Sequence, residues 1–387
     1  MVHVFIVGSK GIPARYGGFE TFVENLTAGK HSSEIQYHIS CMNNDEKHFI
    51  YNHADCFNVG LPLPGAPGRI LHVSRALSQV EQWCRENPDQ SVIVYILGCR
   101  IGPMVVFHAK QLRKLGARIC CNPDGLEWKR GKWGRVVKRF LKLCERCLVC
   151  YSDLVICDSK VIEDYIHETY GGKKPETTYI AYGAGVDRSV CPDNVFLAWC
   201  EKHDIIPGNY YLSVGRFVPE NNIETVIREF MDSRVKSDLV IVTNVEQGRF
   251  YHDLMEHTNF VRDRRIKFVG TEYNSELVKK IRENARAYIH GHEVGGTNPS
   301  LLESLASTRV NLLLDVPFNR EVAADAALYW DKSAGSLSAL IDYTEGLNEQ
   351  TMEDLGNAAR DRIKLIYNWE RICSQYEQLW LKERIVE

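Results

Sequence analysis

Short, nearly unbroken apolar runs, each followed by a polar turn and a helical stretch, constrain this chain most. Val2–Val7, Gln36–Cys41, Cys56–Val59, Ser91–Leu97, Ala117–Cys121, Leu154–Cys157 and Thr177–Ala181 read as one series of strands. Tyr210–Val214, Leu239–Thr243, Ile266–Val269, Tyr288–His290, Val310–Leu314 and Leu328–Trp330 read as a second. Strands without polar alternation need both faces covered, which parallel sheets with crossover helices provide. The predicted class is therefore α/β, with two Rossmann-like parallel domains. A chain of 387 residues also exceeds one ordinary core. The domains are expected at 1–187 and 188–365, with Ala181–Gly208 as connector. An amphipathic helix within 366–387, carrying Trp369, Tyr376, Leu379 and Trp380, is expected to close the chain and pack back on the first domain.

Composition removes several function classes. Apolar residues make up 44% and charged residues 25%, as in water-soluble globular proteins. Apolar runs fall short of membrane-spanning length, and M-V-H-V-F-I-V-G lacks a cleavable signal pattern. A net charge of −3 gives no general attraction for nucleic acid. Thirteen cysteines then point to reduced thiols in a cytosol. Cys144-x-x-Cys147-x-x-Cys150 has metal-like spacing, but it lies in a helical pattern without a second Cys/His pair, so no metal site is expected.

The stretch Y-I-H-G-H-E-V-G-G-T-N-P-S-L-L-E-S-L-A, residues 288–306, carries the most chemistry. A strand ends at Gly291, Gly295 and Gly296 allow φ > 0 and close approach to a ligand, and Asn298-Pro299 starts a helix. Backbone N–H groups at a helix start suit a phosphate. Glu293, Thr297, Ser300 and Leu301 belong to this cradle, and Glu303 can accept the sugar hydroxyls of a nucleoside. A capping box at Ser300-x-x-Glu303 is the competing reading. Arg216, directly after a strand, is a second pyrophosphate ligand.

In the first domain, G-S-K-G-I-P-A-R-Y-G-G-F-E-T is a long glycine-punctuated loop including Arg15, Gly17 and Gly18. Its spacing differs from G-x-G-x-x-G. N-P-D-G-L-E-W-K-R places Asp124 and Lys129 at the carboxyl edge of the sheet, where ligands of open α/β sheets gather, although Asp124-Gly125 also suits a plain turn. From Trp128 to Arg146 the chain carries Lys129, Arg130, Lys132, Arg135, Lys138, Arg139, Lys142 and Arg146 against one acid, Glu145, with Trp128, Trp133 and aliphatic residues between. This basic amphipathic pattern predicts contact with an anionic membrane surface; a solvated face is the alternative.

These motifs, in this order, resemble GT-B glycosyltransferases of the retaining family 4. G-S-K-G-I-P-A-R-Y-G-G-F-E-T-F-V, N-P-D-G-L-E-W-K-R, V-P-E-N-N-I-E and G-H-E-V-G-G-T-N-P-S-L-L-E resemble bacterial rhamnosyltransferases of capsule or cell-wall synthesis, streptococcal ones among them. The resemblance implies two domains facing across a cleft. It further implies retaining, metal-independent transfer of L-rhamnose from dTDP-β-L-rhamnose to a polyprenyl-diphosphate-linked sugar. GlcNAc in β-1,4 linkage is expected as acceptor, with the enzyme peripheral on the inner face of the plasma membrane and without a cofactor. Glu303 and Arg216 carry over directly. The family's second glutamate, eight residues before Glu303, is Gly295 here, with Glu293 two residues earlier, and the family's lysine is Asn221. Asp124 is expected to orient or deprotonate the acceptor hydroxyl, Lys129 to meet acceptor phosphate, and Glu220 to hold the transferring sugar. The alternatives are another hexosyltransferase of the same family, a sugar-nucleotide epimerase on the same fold and an inactive membrane-docked sugar-nucleotide binding protein. A homo-oligomer is compatible with all of them.

Overall fold

The computed structural model describes residues 1–14, 17–45, 47–61, 63–131, 133–173 and 175–384, so Arg15 and Lys132 lie outside the described residues. The chain forms two compact units, Met1–Tyr182 with Trp369–Glu387, and Gly183–Asn368.

The first unit holds an eight-stranded sheet made of β1 (Val2–Val7), β2 (Ile35–Met42), β3 (His48–Tyr51), β4 (Ala54–Val59), β5 (Ser91–Leu97), β6 (Arg118–Asn122), β7 (Leu154–Cys157) and β8 (Thr177–Tyr179). Its order is β3-β4-β2-β1-β5-β6-β7-β8, parallel throughout except for β3. The chain winds outward from β1 through β2, then crosses back to β5, so the winding reverses between β1 and β5. Central strands are buried on both faces, which explains their unbroken apolar sequences. The sequence pattern missed β3. It pairs antiparallel with β4 through a two-residue turn, Asn52–His53, with φ of 46° and 60°. Such turns usually carry glycine, and histidine gave no turn signal.

The second unit holds β9 (Tyr210–Val214), β10 (Asp238–Val242), β11 (Ile266–Gly270), β12 (Ala287–His290), β13 (Asn311–Leu314) and β14 (Leu328–Trp330). All pairs are parallel, in the order β11-β10-β9-β12-β13-β14. This is doubly wound, with its reversal between β9 and β12. Alternate strand residues feed two apolar layers: Tyr211, Leu239, Ile241 and Ile289 one, Tyr210, Leu212, Val240 and Tyr288 the other. Residues 183–208, whose glycines and prolines suggest a connector, contribute to the second layer: Phe196, Trp199 and Cys200 on helix Asp193–Lys202 are buried there.

The helix Trp369–Lys382 belongs to the first unit. Tyr376 and Trp380 are fully buried. The Tyr376 hydroxyl is 3.1 Å from that of Tyr95, and the Trp380 ring lies 5.4 Å from the Tyr95 ring. Glu377 accepts the N–H groups of His31 and Ser32. All thirteen cysteines are free thiols; Cys144, Cys147 and Cys150 ride on one helix, with Cys144 buried.

Candidate active site

In the second unit, Arg216 follows β9 and the loop 291–298 follows β12, so both occupy the carboxyl edge at the winding reversal. Open α/β sheets bind ligands there. Arg216 is exposed and forms no ion pair with any described residue. The two loops are laced together. Asn221 donates to the Arg216 carbonyl at 2.7 Å and its Oδ1 lies 2.9 Å from His292 Nδ1. Asn222 donates to the Gly291 carbonyl at 2.8 Å and to Glu293 at 3.0 Å, and Glu293 also pairs with Lys332. Asn221 and Glu293 thus hold the loops together. A Cβ on Gly291 would stand 2.3 Å from the Asn221 carbonyl oxygen, which explains that glycine. Gly295 is outside the left-handed region; its Cβ would meet His292 Nε2 at 2.9 Å, so space, rather than φ, requires it.

The helix Pro299–Ser307 starts as its sequence predicts, with Asn298 at the N-cap and Pro299 behind it. Asn298 Oδ1 accepts the Ser300 N–H at 2.9 Å, while the Asn298 carbonyl accepts those of Leu301 and Leu302. The Ser300 and Leu301 N–H groups are therefore engaged by the cap residue itself. Among the described residues, the N–H groups of Gly295 and Gly296 donate to no other group. The capping box does not form, because Asn298 takes the cap and Glu303 falls in the second turn.

Glu303 instead pairs with Arg282 at 2.7 Å. Arg282 is 4% exposed and also donates to the Ser300 hydroxyl at 3.2 Å. That hydroxyl lies 3.0 Å from the Tyr288 hydroxyl, and both donate to the Val214 carbonyl at the end of β9. Glu303 itself is 43% exposed, so one edge remains open to a ligand. Nothing in the sequence pointed to Arg282, which sits in an ordinary amphipathic helix. Beneath the loop, burial with His292 and Arg282 nearby holds the His290 imidazole well below its usual pKa, and it is neutral. Glu220 is 4% exposed, and both its carboxylate oxygens lack a hydrogen-bond partner among the described residues.

The first unit gathers three loops at its own reversal, between β1 and β5. A Cβ on Gly8 would stand 2.3 Å from the Leu97 carbonyl oxygen, so the loops after β1 and β5 touch through backbone. The β1 loop is tied down by Glu20, which accepts the Lys10 N–H at 2.7 Å, and by Glu24, which accepts the Ala14 N–H at 2.6 Å. Gly17 takes φ 130°, and a Cβ there would collide with the Glu20 carboxylate. Gly18 is the first residue of helix Gly18–Ala28. Asp124, after β6, has φ 63° and Leu126 φ 53°, conformations that cost a bulky residue energy and mark a constrained loop. Asp124 is half-buried, its carboxylate oxygen 4.0 Å from the Cβ position of Gly98 after β5.

Two acids, Glu145 and Glu127, sort the basic segment. Glu145, 3% exposed, accepts from Trp128 Nε1 at 3.0 Å, Lys142 Nζ at 2.9 Å and the Tyr170 hydroxyl at 2.7 Å. Lys142 also lies over the Trp128 and Tyr165 rings, 4.5 Å from each centroid. Arg130 is buried and paired with Glu127 at 2.7 Å, and Trp133 Nε1 donates to Glu127 at 3.1 Å. Trp128, Arg130, Trp133 and Lys142 are thus engaged within the unit, Arg130 buried and the other three half-buried. Lys129 is exposed beside Trp128, and Arg135 and Arg139 point to solvent, with Lys138 half-exposed.

Two doubly wound units of this topology define the GT-B fold. Solved structures agree with it along nearly the whole chain. It is similar to a sucrose-phosphate synthase from Thermosynechococcus elongatus, with a TM-score of 0.78 at 16% identity, covering 98% of both chains. It is also similar to Anabaena HepE in complex with UDP and glucose, with a TM-score of 0.74 at 11% identity, covering 99% of this chain and 100% of that one. A third likeness is to a trehalose-6-phosphate synthase from work on enzymatic glycosyl transfer with retention, with a TM-score of 0.71 at 12% identity and 99% of both chains. A family model described as a domain of unknown function, DUF1972, matches residues 1–185. No curated protein matches the chain in sequence.

Proposed function

We propose that the protein is a retaining rhamnosyltransferase. It transfers L-rhamnose from dTDP-β-L-rhamnose to a polyprenyl-diphosphate-linked sugar, GlcNAc in β-1,4 linkage, at the inner face of a membrane and without a divalent metal. One observation carries the glycosyl-transfer part: unpaired Arg216, open-edged Glu303 and the N–H groups of Gly295 and Gly296 share one sheet reversal. A guanidinium and two N–H groups suit a pyrophosphate, and a carboxylate suits the nucleoside hydroxyls. Similar folds bound to UDP and glucose support a sugar-nucleotide donor. Rhamnose, the lipid acceptor and the surface-polysaccharide setting rest on the motif resemblance.

Arg216 and the glycine loop stabilise the departing nucleoside diphosphate. In front-face attack, the departing phosphate oxygen takes the acceptor proton, the new glycosidic bond forms on the face the leaving group vacates, and the β configuration is kept. Asp124 orients the acceptor hydroxyl, Lys129 meets the acceptor phosphate, and Glu220 holds the rhamnose.

The test is incubation with dTDP-rhamnose, a panel of lipid-linked acceptors and excess EDTA, followed by the anomeric one-bond C–H coupling of the product. A β-L-rhamnoside formed in EDTA is expected. An α-L-rhamnoside would overturn retention and make Asp124 an inverting base, and activity restored only by Mn²⁺ would overturn metal independence. Transfer from UDP-hexoses alone would replace the donor. Epimerised sugar nucleotide without acceptor would favour the epimerase, and donor binding without any reaction the inactive binder.

A further inference from the structure

We infer that the first unit carries a phosphodiester headgroup site for an anionic phospholipid, formed by Arg146 and Lys173 at the end of an exposed apolar stripe. This rests on, and sharpens, the membrane part of the proposed function.

The helix Arg135–Tyr151 buries Cys144, Leu148 and Val149 and turns another apolar row outward. Val136, Phe140 and Leu143 follow at i, i+4 and i+7, and are 81%, 43% and 47% exposed. Phe107, on the helix Val105–Lys114 that packs against this one, is 76% exposed. A solvated helix face normally carries polar residues in such a row. Cations flank it instead: Arg139 and Arg146 stand four residues before and three after Leu143. Apolar rows flanked by cations fit the boundary between headgroups and acyl chains.

Where the row ends, a cavity of about 540 Å³ opens, lined by Lys142, Leu143, Arg146, Thr169, Tyr170 and Lys173. The three cations are not equivalent. Lys142 is already matched by Glu145. Arg146 and Lys173 are exposed and form no ion pair with any described residue. Two unmatched cations beside the Thr169 hydroxyl suit a phosphate oxyanion. Leu143 lines the cavity and also belongs to the stripe, so a headgroup bound there has its acyl chains directed along Phe140 and Val136. Charge complementarity selects the occupant: the protein carries −3 overall, yet this face gathers cations around apolar side chains.

The test is flotation of the full-length protein with phosphatidylcholine vesicles, with and without phosphatidylglycerol, in the absence of sugar donor and acceptor. It therefore stands or falls independently of which sugar is transferred. Preference for phosphatidylglycerol vesicles is expected. In R146A/K173A that binding should fall about fivefold per cation removed, roughly 25-fold together, with melting temperature and dTDP binding unchanged. F140S should weaken binding to both vesicle types. Equal binding to neutral and anionic vesicles, or unchanged binding of R146A/K173A, would overturn the site. Displacement from phosphatidylglycerol vesicles by inorganic phosphate, with F140S binding like the parent, would assign the cavity to a free phosphate and overturn the bilayer as occupant.

Discussion

Glu303 stands between two partners, a nucleoside it is expected to hold and the buried Arg282 it neutralises. The two roles separate by substitution. Glu303→Ala should remove about 2–4 kcal/mol of transition-state stabilisation. It should also lower stability, because Arg282 is left buried without a counter-charge. Glu303→Gln keeps an acceptor for Arg282, so its melting temperature should recover while turnover stays low. Full turnover in Glu303→Gln would restrict Glu303 to a structural part. A second residue sets acid sensitivity. His38 is buried against Phe5, 4.3 Å ring to ring, between Asp55 at 3.1 Å and His3 at 2.9 Å. Burial lowers its pKa from 6.5 to about 4, with His3 adding to the fall and Asp55 opposing it. The folded state therefore refuses a proton that the unfolded chain accepts. This stability is complete above pH 6.5 and is lost as pH falls towards 4, by about 3 kcal/mol. Urea titrations should show the loss in the parent and a flatter profile in His38→Gln. Asn298 and Pro299 could be read in the sequence because capping is local chemistry. The Arg282–Glu303 pair could not, since the two come from different helices that only the folded sheet brings together.

The helix Arg135–Tyr151 shows what a charge pattern conceals. From Trp128 to Arg146, into that helix, eight basic residues with one acid read as a uniform cationic face. In the folded unit Glu145 draws Lys142 and the Trp128 indole inward, while Glu127, just ahead of the run, takes Arg130 and Trp133. The single acid within the run was the available signal. Glu145→Ala should cost about 3 kcal/mol, because Lys142 and the buried Tyr170 hydroxyl lose their acceptor together. Glu145→Gln should recover part of that in urea unfolding, and equal stability of both variants with the parent would show the hub to be incidental. Strands fared better than helix faces. Parallel strands buried on both sides are unbroken apolar runs, so β1, β5 and β9 could be placed from sequence. The edge strand β3, with its alternating exposure and its Asn52–His53 turn, gave neither signal.

At the scale of the molecule, the fold class followed from the rhythm of strand and helix, and the doubly wound sheets bear it out. The first unit is discontinuous in sequence, with Trp369–Glu387 completing what Met1–Tyr182 begins. Removing residues 369–387 should leave Tyr95, Tyr37 and Phe22 without the covering Tyr376 and Trp380. Residues 1–182 alone should then aggregate, whereas the same segment with 369–387 joined to its end should unfold cooperatively in urea. A cooperative transition in the shorter fragment would show the closing helix to be dispensable. The arrangement also has a consequence on the ribosome. Residues 183–368 must be synthesised before the last helix emerges, which takes roughly 10–40 s at about 5–20 residues per second. For that interval the nascent first sheet waits with an aromatic seam uncovered, so the newborn chain is expected to gain from a chaperone that shields apolar surface until translation ends.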